Sequence, residues 1–240
     1  MYKVERAIIM AAGTGSRMQP VTLETPKPLV KVNGVRMIDT VIQGLWNQGI
    51  HEIYVVVGYL KDQFKGLEQE YPGLKLIENP YYDTCNNISS LYVARDHIAN
   101  AIILDGDQLI FNDAILEPNF ERSGYNAVWT DQPTAEWLMT VENGLVTSCS
   151  RTGGSKGWQL YSISRWTAED GRQLKNHLEI EFEQKNNRQI YWDDVAMFCY
   201  PEQYRLGIYE MNIGDIIEID AIDELAAIDS QYLQFIERDE

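Results

Sequence analysis

The feature that most restricts the fold is a short apolar run at residues 7–10 that leads into a glycine turn, Gly13-Thr14-Gly15. The run is typical of a buried strand, and two glycines one residue apart let the backbone turn sharply and approach a ligand. Arg17 and Lys27 bring positive charge to the same place. This arrangement predicts a polyphosphate-binding turn with Arg17 and Lys27 as its catalytic cations. The candidate nucleotide-binding residues of the turn are Ala11, Ala12, Gly13, Thr14, Gly15 and Ser16.

Two widespread phosphate loops do not fit this turn. The dinucleotide fingerprint requires a third glycine where the chain has Met18, and the P-loop requires a Gly-Lys-Ser/Thr sequence that is absent. The longer pattern Ala-Ala-Gly-x-Gly-Ser-Arg, followed by Pro-x-Thr and Pro-Lys, resembles the signature of nucleotidyltransferases. Such enzymes transfer NMP from an NTP to a phosphate-bearing acceptor. The alternative is an ordinary glycine-rich turn with solvated charges.

The charge balance excludes some partners. The chain of 240 residues has 20 Lys and Arg against 36 Asp and Glu, a formal charge of −16. Such a surface repels polynucleotides and anionic membranes, so we expect no nucleic-acid or membrane partner. The three cysteines are far apart, which argues against a disulfide framework or a zinc site and favours a reducing cytoplasm. No stretch approaches 18 apolar residues, so a soluble intracellular protein is expected, with its oligomeric state left open.

The order of elements predicts an α/β fold. Up to about residue 130, short apolar strands alternate with helical patterns, which indicates βαβ units. Beyond it, short strands and an Asn143-Gly144 turn indicate antiparallel hairpins. We therefore predict a single Rossmann-like domain over residues 1–240, with a mixed, mostly parallel central sheet. Its parts are a nucleotide-binding half (about 1–130), an antiparallel acceptor-binding lobe (about 131–215), and a closing strand and helix (216–240). Predicted strands cover residues 7–10, 53–57, 74–78, 101–105, 127–130, 137–141, 145–150, 159–163 and 216–219. Predicted helices cover 37–48, 60–71, 88–98, 167–183, 192–198 and 221–235, and we expect the helix 167–183 to be exposed.

Two distant strands end in aspartates. Asp105 and Asp107 close the predicted strand 101–105, and Asp220 closes the strand 216–219. One carboxylate from each strand end suits Mg²⁺, which accepts oxygen ligands and shares its shell with substrate phosphates. We therefore predict Asp107 and Asp220 as metal ligands, with Asp105 in a structural or supporting role beside the nucleotide. The alternative for Asp220 is a cap of the helix that follows it.

These groups predict the chemistry. A phosphate oxygen of the acceptor attacks the α-phosphorus of the NTP in line, and pyrophosphate leaves. The site must neutralise two anions, which Mg²⁺, Arg17, Lys27 and the backbone of the turn can do. A phosphate nucleophile is already ionised at neutral pH, so no general base is needed. The three histidines accordingly lie in helical or turn contexts, where we expect surface positions.

The second half of the chain places aromatic residues next to acidic ones. Aromatic faces attract cations, so Trp and Tyr beside a carboxylate predict a cage for a quaternary ammonium group. The candidate cage residues are Trp137, Tyr191, Trp192 and Asp193. A sugar could stack on the same rings, but its hydroxyls would need several polar partners. The alternative is that the rings fill the core, which we expect for Trp46, Trp129 and Trp166.

Nearly the whole chain resembles the bacterial CTP:phosphocholine cytidylyltransferases of the LicC type, within the sugar-phosphate and choline-phosphate nucleotidyltransferases. The motifs are the glycine turn with Arg17 and Lys27, Val57-Gly58-Tyr59-Leu60-Lys61, Asn86-Asn87-Ile88-Ser89-Ser90-Leu91-Tyr92, Asp105-Gly106-Asp107, Glu136-Trp137, Tyr191-Trp192-Asp193 and Glu218-Ile219-Asp220. The resemblance implies CTP and phosphocholine as substrates, CDP-choline and pyrophosphate as products, and Mg²⁺ on Asp107 and Asp220. It also implies aromatic contacts to choline at Trp137 and Tyr191, and cytosine contacts by Asn87 and Ser89.

The chain departs from the resemblance at Gly153-Gly154-Ser155-Lys156-Gly157. Lys156 either binds the acceptor phosphate or lies on a mobile loop. This leaves the acceptor open: 2-aminoethylphosphonate or phosphoethanolamine would need hydrogen-bond acceptors more than ring faces, and a sugar 1-phosphate would need a polar pocket. A nucleotide-binding regulatory module is the alternative that is not an enzyme, although it predicts loss of Lys27, Asp107 or Asp220, and all three are present.

Overall fold

The computed structural model describes residues 1–236 of the chain. Fifteen strands and five α-helices form within this part. Residues 237–240, the end of the predicted closing segment, lie outside it. The strands are β1 (Tyr2–Lys3), β2 (Arg6–Ala11), β3 (Lys31–Val32), β4 (Val35–Arg36), β5 (Glu52–Val57), β6 (Leu74–Glu78), β7 (Ala101–Asp105), β8 (Gln108–Ile110), β9 (Asn119–Phe120), β10 (Gly124–Thr130), β11 (Leu138–Glu142), β12 (Leu145–Ser150), β13 (Gly157–Trp166), β14 (Gly207–Glu210) and β15 (Ile216–Glu218). The α-helices are α1 (Met37–Asn47), α2 (Leu67–Glu70), α3 (Ile88–Val93), α4 (Ala168–Glu179) and α5 (Ile222–Ile228).

Shorter helical segments complete the described chain. The 3₁₀ segments are Ser16–Met18, Val21–Leu23, Lys27–Leu29, Lys61–Phe64, Arg95–His97, Asp113–Leu116, Pro201–Gln203 and Ser230–Phe235. Two π-helical turns cover Ile180–Gln184 and Val195–Cys199. None of the helices in residues 1–236 combines the length and the apolar character that a membrane-spanning helix needs.

Nine strands form the central sheet, in the order β12-β11-β13-β7-β2-β5-β6, with β10 between β13 and β14 at a branch. β2 lies parallel to both β5 and β7, and β5 lies parallel to β6. β13 joins antiparallel to β7 and carries the hairpin strands of the second half. The carboxyl ends of β2, β5 and β7 therefore share one edge, where ligands bind in open α/β sheets. The predicted α/β fold with a mixed central sheet is confirmed.

The sheet is covered on both faces because successive residues of β2 point to opposite sides. Ala7 and Ile9 belong to one core with the apolar face of α1, whereas Ile8 and Met10 belong to the other with α3 and α4. Ile8 and Ile9 are completely buried. A strand apolar on both faces is typical of the middle of a parallel sheet, so this run specifies a three-layer fold.

Several helix predictions change in detail, and the predicted helix 192–198 forms mostly as the π-helical turn Val195–Cys199. The predicted helix 60–71 is only a 3₁₀ segment and the single turn α2, because Leu60 has a φ of 49° and Gly66 interrupts the pattern. The predicted helix 88–98 leaves α-geometry after Val93. The predicted helix 167–183 forms as α4 and a π-helical turn, but its Leu174 and Leu178 are completely buried rather than part of an exposed helix.

The closing segment also differs from its prediction. β15 pairs antiparallel with β8 in a separate two-stranded ribbon outside the central sheet. The predicted helix 221–235 breaks at Asp229, whose backbone is extended and whose side chain caps the next 3₁₀ segment.

Trp166 is buried as predicted, whereas Trp129 is 46% exposed and the expectation of a core position for it is wrong.

Candidate active site

The glycine turn after β2 forms one wall of a cavity of about 330 Å³, which residues 11–16 line together. Gly15 has a φ of 62°, in the left-handed region, and a Cβ placed there would lie 3.0 Å from the Cβ of Lys27. Thr22 Oγ1 donates a hydrogen bond of 2.8 Å to the Gly15 carbonyl. The Tyr59 backbone N–H donates one of 3.1 Å to the Ala12 carbonyl. The turn is thus fixed by close packing and by its neighbours' hydrogen bonds.

Lys27 lies between the two predicted metal ligands. Its Nζ is 2.6 Å from Asp107 Oδ2 and 2.8 Å from Asp220 Oδ1, and its side chain is only 10% exposed. Burial disfavours the charge on Lys27, but attraction and hydrogen bonding from Asp107 and Asp220 outweigh burial and raise the pKa of Lys27 above its ordinary value. Arg17 Nη2 lies 3.1 Å from Asp220 Oδ1. Two cations and two carboxylates therefore meet at one point.

Asp107 and Asp220 meet for a reason that the sequence does not show. In the ribbon of β8 and β15, Gln108 pairs with Glu218, so the residue before one strand lies beside the residues that follow the other. Each carboxylate follows a strand end, as predicted: Asp107 follows β7 of the central sheet, and Asp220 follows β15 of the ribbon. The ribbon brings them together because an antiparallel pair places the start of one strand at the end of the other.

A second cavity, of about 250 Å³, continues from Lys27 towards the antiparallel strands. Trp137 and Tyr191 stand at its far side with ring centres 5.7 Å apart and ring planes at 89°. We call these two residues the aromatic corner. Glu136 and Asp193 line the same cavity. Two ring surfaces next to carboxylates form a site suited to a cationic group.

The carboxylates of this second cavity are crowded. Burial raises the pKa of Asp105 well above its usual range, and the charges of Asp107 and Glu218 raise it further. Burial raises the pKa of Glu218 to about 7, although a hydrogen bond of 2.8 Å from Gln108 Nε2 acts in the opposite direction. Burial likewise raises the pKa of Asp193 to about 7. Groups of this kind gain most from a bound cation, which would favour their ionised form.

A third cavity, of about 220 Å³, opens on the other side of the glycine turn. Asn79, Ser89 and Asn87 line it with polar atoms. Asn79 Nδ2 donates to Ser89 Oγ at 2.9 Å, and the Ser89 hydroxyl donates to the Asn86 carbonyl at 2.8 Å. Asn87 lines all three cavities, so the three form a continuous cleft.

The donor set fits Mg²⁺ only in combination with a substrate. Among residues 1–236, no three His, Cys, Asp or Glu side chains form a metal-binding group by themselves. Asp107 and Asp220 nevertheless both reach one point, now occupied by the Lys27 ammonium. Mg²⁺ commonly takes one or two carboxylates and completes its shell with phosphates and water. The pair therefore suits a metal ion that arrives with a nucleotide.

Comparison with known proteins agrees with this geometry. The family model of the MobA-like NTP transferase domain matches residues 7–164. This chain belongs to that family. As a MobA-like NTP transferase it is a nucleotidyltransferase enzyme, as its glycine turn predicts.

Individual relatives share nearly the whole length of this nucleotidyltransferase. A 2-aminoethylphosphonate cytidylyltransferase of Lancefieldella rimae is 38% identical over 96% of this chain and 94% of its own. A choline-phosphate cytidylyltransferase of Streptococcus pneumoniae is 31% identical over 91% of this chain and 94% of its own. The solved structure of the CTP:phosphocholine cytidylyltransferase LicC from Streptococcus pneumoniae is similar with a TM-score of 0.86 and 30% identity, covering 98% of this chain and 100% of that one.

The cleft of this nucleotidyltransferase contains most of the predicted site residues. Those that line it are Ala11, Ala12, Gly13, Thr14, Gly15, Ser16, Arg17, Lys27, Asn87, Ser89, Asp105, Asp107, Trp137, Tyr191, Asp193 and Asp220. Two predicted residues do not line it. Trp192 is 3% exposed and packs against Tyr125 and Trp166, so its predicted place in the cage is wrong. Lys156 is exposed, and its Nζ lies 5.6 Å from the ring centre of Trp129.

Several residues in the cleft or beside it received no role from the sequence. Glu218 could have been found, because it is a lone acidic residue within the apolar run Ile216-Ile217-Glu218-Ile219. Glu136 stood beside a predicted cage residue without a role of its own. Nothing in the sequence singles out Arg151, whose partners come from distant segments. His177, expected at the surface, is buried and stacks on Tyr200 away from the cleft.

Proposed function

We propose that this nucleotidyltransferase transfers CMP from CTP to phosphocholine and releases CDP-choline and pyrophosphate. The observation that carries the proposal is the aromatic corner, which lies in the same cavity as Lys27 and six half-buried or exposed carboxylates. The acceptor must therefore carry a cationic headgroup at one end and a phosphate at the other. Phosphocholine has both.

The headgroup is proposed to bind by its charge. A quaternary ammonium group has no N–H to donate, so it is held by ring faces and by nearby negative charge. Trp137 and Tyr191 supply two faces at a right angle, and Asp193 and Glu136 supply the charge. Binding of the cation also favours the ionised form of Asp193, whose pKa is raised by burial.

The reaction forms one phosphorus–oxygen bond and breaks another. An oxygen of the acceptor phosphate attacks the α-phosphorus of CTP, the bond from this phosphorus to the bridging oxygen breaks, and pyrophosphate leaves with both electrons. Lys27, Arg17 and the backbone of the glycine turn would orient the triphosphate and neutralise the developing charge. Mg²⁺, when held by Asp107, Asp220 and the phosphates, would supply further positive charge at the leaving group. The nucleophile is already anionic, so no side chain needs to remove a proton.

The choice of CTP is supported by the relatives that are named as cytidylyltransferases, including the two described above, each of which matches more than nine-tenths of this chain. The cavity beside the glycine turn offers amide and hydroxyl groups of the kind that read the edge of a nucleobase. Asn87 and Ser89 are the proposed cytosine contacts. The nucleotide and the acceptor would then occupy opposite ends of one cleft that meet at Lys27.

A second acceptor, 2-aminoethylphosphonate, is favoured by a specific observation. Asp193 Oδ1 is buried and makes no hydrogen bond of good geometry within the described residues, although the Tyr125 hydroxyl lies beside the carboxyl group and favours its ionised form. A primary ammonium group could donate to that atom, whereas a quaternary one could not. The relative from Lancefieldella rimae is named for this acceptor and is 38% identical. Both acceptors share the ammonium and the phosphorus oxyanion, and they differ in how the ammonium is bound.

Pyrophosphate release with Mg²⁺ tests the proposal. The purified protein is assayed with CTP, UTP, ATP and dTTP against phosphocholine, phosphoethanolamine, 2-aminoethylphosphonate and glucose 1-phosphate. We expect CTP with phosphocholine to give the highest kcat/KM. A preference for 2-aminoethylphosphonate would replace the first acceptor with the second. Turnover with glucose 1-phosphate alone would contradict both, and binding of CTP without any turnover would indicate the regulatory module.

A further inference from the structure

Arg151 contacts the aromatic corner from outside the cleft. It begins the segment between β12 and β13, and it does not line the acceptor cavity. Its Cζ atom lies 3.9 Å from the ring centre of Phe198 and 5.8 Å from that of Trp137. Trp137 also meets Phe198 edge-on, with ring centres 5.8 Å apart. One wall of the corner is therefore packed between Arg151, Phe198 and Tyr191.

The second wall is connected to Arg151 through Asp194. Arg151 Nη2 lies 2.6 Å from Asp194 Oδ1, and the Asp194 side chain is only 3% exposed. Asp194 Oδ2 accepts a hydrogen bond of 2.9 Å from the Tyr191 backbone N–H. A single guanidinium thus holds Trp137 directly and Tyr191 through one carboxylate.

The backbone around Arg151 is fixed as well. Thr134 and Gly154 exchange two backbone hydrogen bonds, of 2.9 and 3.0 Å. Gly153 has a φ of 73°, and a Cβ placed there would lie 1.8 Å from the Thr134 carbonyl oxygen. This close approach joins residues 151–157 to the segment that carries Trp137. The positions of Arg151 and Trp137 are therefore set relative to one another by the backbone.

We propose that Arg151 is a positioning residue that sets the affinity for the acceptor headgroup by holding the aromatic corner at its right angle. The proposal rests on the proposed function, in which the corner binds an ammonium group. An unpaired guanidinium so close to this site would repel a cationic ligand. Asp194 neutralises the guanidinium, so Arg151 supports the rings without that penalty.

The test compares Arg151→Met with Arg151→Lys and with Arg172→Met, a matched change at an exposed arginine of α4. We expect Arg151→Met to raise the KM for phosphocholine about tenfold, the loss of affinity typical of one strong cation–π contact, with kcat and the KM for CTP within about twofold. Arg151→Lys should restore part of the affinity, and Arg172→Met should change nothing. Because Arg151→Met leaves Asp194 as an unpaired buried charge, the double variant with Asp194→Asn keeps the test valid if the single variant unfolds.

Choline, which lacks the phosphate, separates positioning from phosphate binding. In Arg151→Met, the inhibition constant of choline as a competitive inhibitor should rise by the same factor as the KM for phosphocholine. Unchanged inhibition by choline together with a raised KM for phosphocholine would mean that Arg151 contacts the acceptor phosphate, and would overturn the proposal. An unchanged KM would overturn it too.

A ligand-free measurement separates this proposal from the proposed function. In protein labelled with 5-fluorotryptophan, Arg151→Met should shift or broaden the ¹⁹F resonance of Trp137, assigned with Trp137→Phe, but not that of the core residue Trp166. An unchanged Trp137 resonance would show that Arg151 does not position the ring. If the resonance moves while the wild type turns over none of the acceptors, the proposed function fails and the positioning role stands.

Discussion

The two ends of the cleft differ in the part of the chain that forms them. At the nucleotide end, the glycine turn follows a buried strand, and backbone hydrogen bonds and close packing fix it. At the acceptor end, rings and carboxylates carried by separate strands and loops face one cavity. The first end thus depends on the course of the main chain, and the second on side chains.

This difference explains how one fold accommodates different acceptors. A triphosphate presents the same oxygens in every reaction of this kind, so a backbone turn suits it. An acceptor headgroup varies, and side chains can be exchanged without moving the sheet. Substitutions at the two ends should therefore separate the kinetics of CTP from those of the acceptor.

The largest expected effect lies where the two ends meet. Lys27→Met should lower kcat/KM by about 10³-fold, because it removes the cation that faces both Asp107 and Asp220 and leaves only Arg17, which pairs with Asp220. Steady-state pyrophosphate release measures this loss. Lys61→Met, at an exposed lysine paired with Glu78, is the matched control and should retain activity. Equal effects of the two changes would remove Lys27 from the reaction.

Trp137→Ala should act on the acceptor end alone. We expect the KM for the acceptor to rise about 10-fold to 10²-fold through loss of a ring face and its packing, while the KM for CTP stays within about twofold. Trp129→Ala removes a tryptophan of β10 that is 46% exposed and does not line the cleft. It should leave both constants unchanged. A parallel rise in the KM for CTP would show that the two ends are not independent.

Gly58→Ala should act on the nucleotide end alone. A Cβ at Gly58 would lie 2.6 Å from the Cβ of Tyr82 and 2.9 Å from the Ala12 carbonyl oxygen, so the glycine turn must shift. We expect the KM for CTP to rise about tenfold. We also expect a lower melting temperature, because overpacking typically reduces the free energy of unfolding by about 1–3 kcal/mol. Gly66→Ala, whose Cβ would meet only the flexible end of Glu70, is the control. An effect on the acceptor KM instead would reverse the assignment of the two ends.

The smallest effect concerns pH. Burial raises the pKa of Asp193 to about 7, so the wild type should bind a cationic acceptor better as pH rises from 6 to 8, while Asp193→Asn should lose this part of the dependence. The ratio of the acceptor KM of Asp193→Asn to that of the wild type should change several-fold between pH 6 and pH 8. Titration of the acceptor phosphate affects both proteins equally, so it does not contribute to this ratio.

Stability should respond in the opposite sense. A carboxyl group with a raised pKa binds its proton more tightly in the folded state, so it destabilises the fold as pH rises above the unfolded pKa of about 4. Asp193→Asn should therefore melt higher than the wild type at pH 8 and close to it at pH 4. Equal melting temperatures at both pH values would contradict the assigned pKa.

The sequence predicts what is local. The strand, the glycine turn and the Asn143-Gly144 hairpin each depend on a few consecutive residues, and all three form as expected, the last with φ of 52° and 74°. Asp107 and Asp220 were chosen correctly as neighbours, but the ribbon that joins them is a long-range pairing that no local pattern encodes. Their roles as metal ligands stay a prediction.

Burial of the aromatic residues could not be predicted for a different reason. Tyr191 and Trp192 are adjacent and share the same acidic neighbours, yet Tyr191 faces the cleft and Trp192 packs in the core. Which of two successive side chains points inward depends on how the lobe docks on the sheet. The contacts of Arg151 depend on the same docking.

The ribbon of β8 and β15 joins residues that are made at very different times during synthesis. A nascent chain that has emerged as far as β14 contains the glycine turn, Lys27, the aromatic corner and most of the sheet, but it has only Asp107 of the pair. Proteolytic removal of β15 from the finished protein would leave the same incomplete centre. Lys27 therefore meets both of its carboxylates only after the chain has been synthesised as far as Asp220 and β15 has paired with β8.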